Sequence, residues 1–159
     1  MRKRSSTAAL AVLFLMAAAI AVTAQKSRAS VPSSEVNGTF RMTFKGKYKN
    51  YSSEIRMLAT GGGKLRVGMD LSYPHPGPNG KIAVNTGAFD DQFSIKGDVG
   101  SYASQDGKCK FTIKFVKPGT IKVTQDGSDS DCGFGNNVTA AGTYIKVSSR
   151  KPKFEEYNK

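Results

Sequence analysis

Residues 108–125 read KCKFTIKFVKPGTIKVTQ, and their pattern indicates the fold class. Apolar and polar side chains alternate on both sides of Pro118-Gly119, a pair that suits a type II turn. Strict alternation is typical of a half-buried antiparallel strand. The stretch therefore predicts a β-hairpin with one apolar and one basic face. Its predicted inner face carries Cys109, Phe111, Ile113, Phe115, Ile121 and Val123, and its outer face carries Lys108, Lys110, Lys114 and Lys122.

The same alternation recurs along most of the chain. In KLRVGMDLSY at 64–73 the inner face is predicted to hold Leu65, Val67, Met69, Leu71 and Tyr73. Turn-forming segments separate further predicted strands at 37–45, 51–60, 80–86, 92–97 and 142–148. About seven to nine short strands indicate an all-β fold, either a small antiparallel β-barrel or a β-sandwich. We favour the barrel because closing a sheet removes its exposed edges.

The N-terminal segment, MRKRSSTAALAVLFLMAAAIAVTAQ, has the layout of a secretory signal peptide. Basic residues precede an apolar run, and small residues precede the expected cleavage site after Ala24. A membrane anchor is the weaker interpretation, because the apolar run is shorter than the roughly 20 residues that a spanning helix needs. The mature chain is therefore predicted to be periplasmic or secreted. It divides into a flexible leader at 25–36, a single barrel domain at 37–148 and a charged tail at 149–159.

The chain is strongly basic, with 24 Lys and Arg against 12 Asp and Glu. Its formal net charge of +12 falls to +9 once Arg2, Lys3 and Arg4 leave with the signal segment. This excess favours an anionic partner such as lipopolysaccharide, teichoic acid, an acidic glycan, an acidic protein or nucleic acid. The alternative is a basic secreted protein whose charge has no such partner.

Cys109 and Cys132 are the two cysteines of the chain. In an exported protein they predict one structural disulfide, because the compartment is oxidising. A redox or intermolecular role is the alternative.

No group of side chains has the pattern of a catalytic or metal site, so we predict a non-enzymatic protein without a metal or cofactor. His75, the single histidine, lies between two prolines in a loop, whereas catalytic and zinc-binding histidines need rigid neighbours. Asp126, Asp129 and Asp131 lack the spacing and distal glutamate of an EF-hand. Asp90-Asp91 is predicted to form a turn before the strand at 92–97.

Lysines alternate with tyrosines in FKGKYKNY at 44–51, a combination that single-stranded nucleic-acid surfaces also use. Export argues against nucleic acid as the partner, and lysines at a strand end are ordinary edge protection.

The stretch DCGFGNNVTAAGTY at 131–144 joins the second cysteine to a predicted strand. A phosphate-binding loop normally leads into a helix, and here a strand containing Tyr144 follows. We therefore interpret the stretch as a disulfide-pinned closure of the sheet. Gly133 and Gly135 would allow tight turns, and Phe134 would pack over the barrel end.

The order of motifs from Gly97 to Tyr144 resembles a group of small exported bacterial β-domains, some of which are described as lysozyme-inhibitor-like. The shared features are a tyrosine segment, a cysteine that opens a strand, a V-x-V-x-Q-like strand, CGFG, a following valine and GTY. In this chain they are Tyr102, Cys109, residues 121–125, residues 132–135, Val138 and residues 142–144. Periplasmic lysozyme inhibitors insert a loop with serine and tyrosine into the lysozyme cleft, and the resemblance implies that Ser101 and Tyr102 would form this contact.

Two functional hypotheses follow. The first is a lysozyme-inhibitor-like binding module. The second is a basic envelope-binding or small-ligand-carrying barrel that recognises anionic polymers through Lys108, Lys110, Lys114 and Lys122.

Overall fold

The computed structural model describes residues 28–154, which form a closed barrel of eight antiparallel strands in simple up-and-down order. Strand β1 pairs with both β2 and β8, so the sheet closes on itself. The prediction of an all-β barrel is confirmed. The elements are α1 (Ser33–Val36), β1 (Gly38–Thr43), β2 (Ser52–Gly61), β3 (Lys64–Pro76), β4 (Ile82–Lys96), β5 (Val99–Ala103), β6 (Lys110–Lys117), β7 (Thr120–Asp126) and β8 (Gly142–Ser148), with short 3-10 turns at Gly46–Tyr48 and Pro78–Gly80.

The predicted hairpin at 108–125 is strands β6 and β7. Gly119 has a φ of 72°, which the turn after Pro118 requires and glycine adopts without strain. All six predicted inner side chains are buried in the core of the barrel. Alternation of polarity was therefore sufficient to assign the two faces.

The hairpin formed by β3 and β4 differs from the prediction. The expected strands at 80–86 and 92–97 are one continuous strand, and Asp90 and Asp91 lie within it opposite Gly68 and Val67. Asp90 is not a turn residue because its carboxylate accepts two hydrogen bonds from the Arg66 guanidinium of β3, at 3.1 and 3.0 Å. Cross-strand pairing thus overrides the turn tendency of the two aspartates.

Beyond the Glu54–Asp70 pair, β3 leaves β2 and continues with β4 as an arm that we define as residues 72–86. The prediction that Tyr73 points into the core is wrong, since its side chain is 37% exposed on this arm. Ser53 bridges the point of divergence, where its hydroxyl accepts a hydrogen bond from the Ser72 amide at 3.0 Å.

The two barrel ends are closed differently. The turn end carries the tight β2–β3, β4–β5 and β6–β7 connections, and the loop end carries the four longer ones. At the turn end, residues 28–36 pack against the barrel, which corrects the prediction of a flexible leader for this part of the chain. Val36 is buried in the core, and Val31 packs against it. Val31 and Val36, which precede the first strand, therefore complete the apolar core at this end.

Polar contacts hold the same segment in place. The Arg28 guanidinium donates to Glu35 at 2.7 Å and to the Phe115 carbonyl at 3.1 Å. The Lys146 ammonium donates to the Ser34 and Glu35 carbonyls. Partial burial lowers the pKa of Lys146 from its ordinary value. The predicted signal segment and residues 25–27 lie outside the described residues.

The loop end is closed by the connection between β7 and β8, as predicted from DCGFGNNVTAAGTY. Cys109 and Cys132 form the predicted disulfide. Phe134 stacks on Phe111, with ring centroids 5.9 Å apart, and packs against Gly87 of β4. Its loop is also fastened to β4 because the Gly135 amide donates to the Thr86 carbonyl.

The tail also contacts the barrel wall. The Phe154 ring lies over the Arg66 guanidinium, whose central carbon is 4.4 Å from the ring centroid. The same ring covers Gly68. Residues 149–154 therefore return along the barrel, whereas 155–159 lie outside the described residues.

We expect the disulfide to stabilise the fold by about 3 kcal/mol, because it closes a loop of 23 residues in the unfolded chain. Urea unfolding of the Cys109→Ser/Cys132→Ser variant should show this loss. Reductant should lower the midpoint of the wild type and leave that of the variant unchanged. Equal midpoints for the oxidised wild type and the variant would contradict the expectation.

We expect Gly87→Ala to cost about 1–3 kcal/mol, because overpacking forces neighbouring atoms to move. An added Cβ would lie 2.7 Å from the Phe134 ring. Gly100→Ala is the matched control, since its Cβ would meet Leu65 at an ordinary 3.4 Å. In a Phe134→Ala background the Gly87→Ala cost should shrink, and the same cost in both backgrounds would exclude this contact as its cause.

Candidate binding surfaces

The outer surface of β4–β7 carries rows of side chains that run across the strands. Ser94 pairs with Ser101, Ser101 with Thr112, and Thr112 with Thr124, so four exposed hydroxyls form one row. Neighbouring strands are about 4.8 Å apart, which sets the spacing along the row. We call this row and its flanking lysines the lysine face; its members are Ser94, Ser101, Thr112 and Thr124 with Lys96, Lys110, Lys114 and Lys122.

Two of the predicted basic residues, Lys114 and Lys122, lie directly opposite each other on β6 and β7. Like charges in that position destabilise a sheet. Asp98 offsets the repulsion: its buried carboxylate accepts a hydrogen bond from the Lys114 ammonium at 2.6 Å and another from the Arg28 amide at 3.1 Å. Lys114 is consequently half-buried and its charge is compensated.

The other two predicted lysines, Lys110 and Lys108, differ in position, because only Lys110 lies on a strand. Lys110 lies on β6 opposite Asp126, with 3.5 Å between ammonium and carboxylate in an exposed pair. Lys108 precedes the strand and lies 3.8 Å from Asp106, beside the disulfide. Lys108 is thus outside the rows.

Lys96, which was not predicted from the sequence, joins the lysine face from the end of β4. Within residues 28–154, neither Lys96 nor Lys122 has a carboxylate within 4.0 Å. Only the cross-strand register brings Lys96 beside β6, because Lys96 pairs with Val99 and Val99 with Lys114. No local pattern signals this neighbourhood.

The resemblance-based candidates Ser101 and Tyr102 lie on β5, and their side chains have different surroundings. Ser101 is exposed in the hydroxyl row, whereas the Tyr102 ring is half-buried and stacks on Phe93 and Phe111. Burial, and secondarily the charge of Asp91 and a hydrogen bond to it, raise the pKa of the Tyr102 phenol. The two residues therefore do not form one protruding contact.

The acidic residues after β7 organise their own loop. Asp131 accepts hydrogen bonds from the Ser128 hydroxyl and, secondarily, the Ser128 amide, and both lower the pKa of its carboxyl. Asp129 accepts from the amides of Ser130 and Asn137. In residues 28–154 no group of three His, Cys, Asp or Glu side chains is arranged to hold a metal ion.

An open groove of about 570 Å³ lies on a different part of the wall, where β3 leaves β2. Its carboxylates are already paired: Glu54 with Arg41 at 2.6 Å and Asp70 with Arg56 at 2.7 Å. The remaining polar lining is mainly hydroxyl, from Ser52, Ser72 and Thr86. His75 lies on the arm, stacked on Tyr73, apart from the lysine face.

No known protein family, curated protein or solved structure matches this chain. Across the described range, 28–154, no helix is long and apolar enough to cross a membrane.

We expect Asp98→Asn to destabilise the fold by about 1–3 kcal/mol, because the half-buried Lys114 loses a charged hydrogen-bond acceptor. The control is Asp126→Asn, which removes the exposed carboxylate opposite Lys110 and should cost less than about 1 kcal/mol. Urea unfolding of both variants tests the difference. Equal losses would show that Asp98 is no more important than a surface charge.

Proposed function

We propose that this protein is an exported, non-enzymatic binding protein that holds an anionic cell-envelope polymer across its lysine face. The observation that carries the proposal is the register of β4–β7, which aligns four exposed hydroxyls beside a row of lysines. This is the second of the two sequence-based hypotheses with a revised set of residues, in which Lys96 is added and Lys108 is removed.

The shape of the surface supports an extended ligand. Row members recur at the strand spacing of about 4.8 Å, and successive rows are about 7 Å apart along the strands. Hydroxyls of Ser and Thr both donate and accept hydrogen bonds, so they can pair with sugar hydroxyls as well as with acidic groups. A glycan chain lying across the strands would meet hydroxyls and ammonium groups side by side.

The charge of the surface supports an anionic ligand. Lys96 and Lys122 have no close carboxylate within residues 28–154, and the exposed Lys110–Asp126 pair at 3.5 Å is weak. The excess of positive charge on the whole chain acts in the same direction, since it raises the local concentration of polyanions. Such attraction is screened over about 8 Å at physiological salt.

The alternatives have less support. Large apolar side chains occupy the barrel interior, including Phe40, Phe93, Phe115 and Tyr144, which argues against a small ligand carried inside. The lysozyme-inhibitor hypothesis relies on Ser101 and Tyr102 acting together, and Tyr102 packs among phenylalanines. Lysozyme binding therefore serves as the competing outcome of the test.

We expect the mature chain to be retained by immobilised teichoic acid or an acidic glycan, neither of which contains a membrane lipid, and to be released by salt. Lys96→Gln/Lys110→Gln/Lys122→Gln should weaken this binding about tenfold, because an exposed charge contributes about 0.5 kcal/mol and three are removed. Binding isotherms at several salt concentrations measure the affinity and its salt slope. Thr112→Val/Thr124→Val should weaken binding without changing the salt slope, since it removes hydroxyls and keeps every charge.

The control is Lys45→Gln/Lys47→Gln/Lys49→Gln, which removes the same charge from the β1–β2 connection. Equal loss in both lysine variants would mean that net charge alone attracts the polymer. Retention by lysozymes, with no retention by the polymers and loss on Tyr102→Ala, would favour the inhibitor hypothesis instead.

A further inference from the structure

The connection between β1 and β2, residues 44–51, is a second basic surface that the proposed function leaves unused. We call it the lysine loop and define it by Lys45, Lys47 and Lys49, all of which are exposed. The chain has no acidic residue from Val36 to Ser53. None of the three ammonium groups has a carboxylate within 4.0 Å in the described part of the chain.

Backbone hydrogen bonds hold the lysine loop in one conformation. The Tyr48 amide donates to the Lys45 carbonyl and the Lys49 amide to the Gly46 carbonyl, each at 3.2 Å. The Tyr51 amide donates to the Tyr48 carbonyl at 2.9 Å. Gly46 has a φ of 60°, a conformation that glycine adopts without strain. Because the loop is already ordered, binding through it would cost little conformational entropy.

Tyrosine accompanies the lysines at this end of the barrel. Tyr48 is half-buried, and the Lys47 ammonium lies 5.1 Å from its ring centroid. Tyrosine favours membrane–water interfaces, where its ring meets acyl chains and its hydroxyl meets water. The loop therefore combines uncompensated positive charge with an amphipathic ring.

The arm lies at the same end of the barrel. The β1–β2 and β3–β4 connections both leave the barrel at the loop end. On the arm, Lys81 is exposed, and the adjacent Ile82 is 36% exposed. Tyr73, further along the arm, is 37% exposed. The acidic residues of 126–131 lie at the same end but beside the residues just before β6, where Gly127 approaches the Lys108 backbone and Cys132 is bonded to Cys109.

We propose that the lysine loop docks the protein on an anionic membrane surface, with the lysines among phospholipid phosphates and Tyr48 at the interface. A short loop tip suits a planar array of headgroups, whereas an extended polymer needs the flat rows of the lysine face. Single-stranded nucleic acid fits less well, because base stacking needs free aromatic faces and one face of Tyr48 lies beside Lys47. The inference is independent of the proposed polymer binding.

Sedimentation of the mature chain with phospholipid vesicles tests the inference. We expect binding to phosphatidylcholine vesicles that contain phosphatidylglycerol, and little binding to phosphatidylcholine alone. Each lysine near an anionic surface is worth about fivefold in partitioning, so Lys45→Gln/Lys47→Gln/Lys49→Gln should reduce binding about a hundredfold. Tyr48→Ser should reduce binding while retaining its salt dependence.

The matched control is Lys96→Gln/Lys110→Gln/Lys122→Gln, which removes the same charge from the lysine face and should retain vesicle binding. Circular dichroism and urea unfolding establish that both variants are folded. Equal loss of vesicle binding in the two variants would overturn the inference, because net charge would then be the cause. Binding of the wild type to a single-stranded oligonucleotide but not to anionic vesicles would overturn it in favour of nucleic acid.

Discussion

The pairing of β1 with β8 shapes every other part of the barrel. It converts a meander of eight strands into a closed wall and leaves no edge strand at the seam. The seam requires Gly38, which has a φ of 141° and lies where a side chain would meet the backbone of Ser148. Closure also fixes the interior, because each strand must direct its alternate side chains into one shared core.

The same constraint produces the lysine face. Once the core side of each strand is set, its opposite side chains must point outward, and the register determines which of them are neighbours. Ser101, Thr112 and Thr124 come from three strands and form a row because the register is regular at these residues; the shift in the β6–β7 pair comes later, between Phe115 and Lys117. A repulsive Lys114–Lys122 neighbour pair arises in the same way, and the buried Asp98 offsets it.

The two barrel ends have different structural roles. The N-terminal segment seals the turn end with Val36 and a set of polar contacts, so its sequence serves the core. The loop end carries longer connections, of which the β7–β8 connection seals the barrel through Phe134 and the disulfide. The arm takes part in that closure through Thr86, whose carbonyl accepts a hydrogen bond from the Gly135 amide. Connections at the surface of a rigid scaffold are where binding residues concentrate, which agrees with the role proposed for the lysine loop.

The local sequence was a good guide where one strand and its turn decide the outcome. Alternation identified the β6–β7 hairpin and its buried side chains, and two cysteines in a chain with a predicted export signal indicated the disulfide. The same reasoning failed at Asp90 and Asp91, where pairing with β3 outweighs turn tendency. It failed again at Val36, whose burial depends on a gap at the turn end that no local pattern reveals.

Residue order and polarity by themselves thus determined the β class, the faces of the strands and the basic character of this protein. The folded barrel was needed to show that Asp98 compensates Lys114, that Tyr102 lies among phenylalanines and that Lys96 belongs to the lysine face. The physical reason is that polarity alternates along a strand, whereas neighbours across strands depend on the register and closure of the whole barrel.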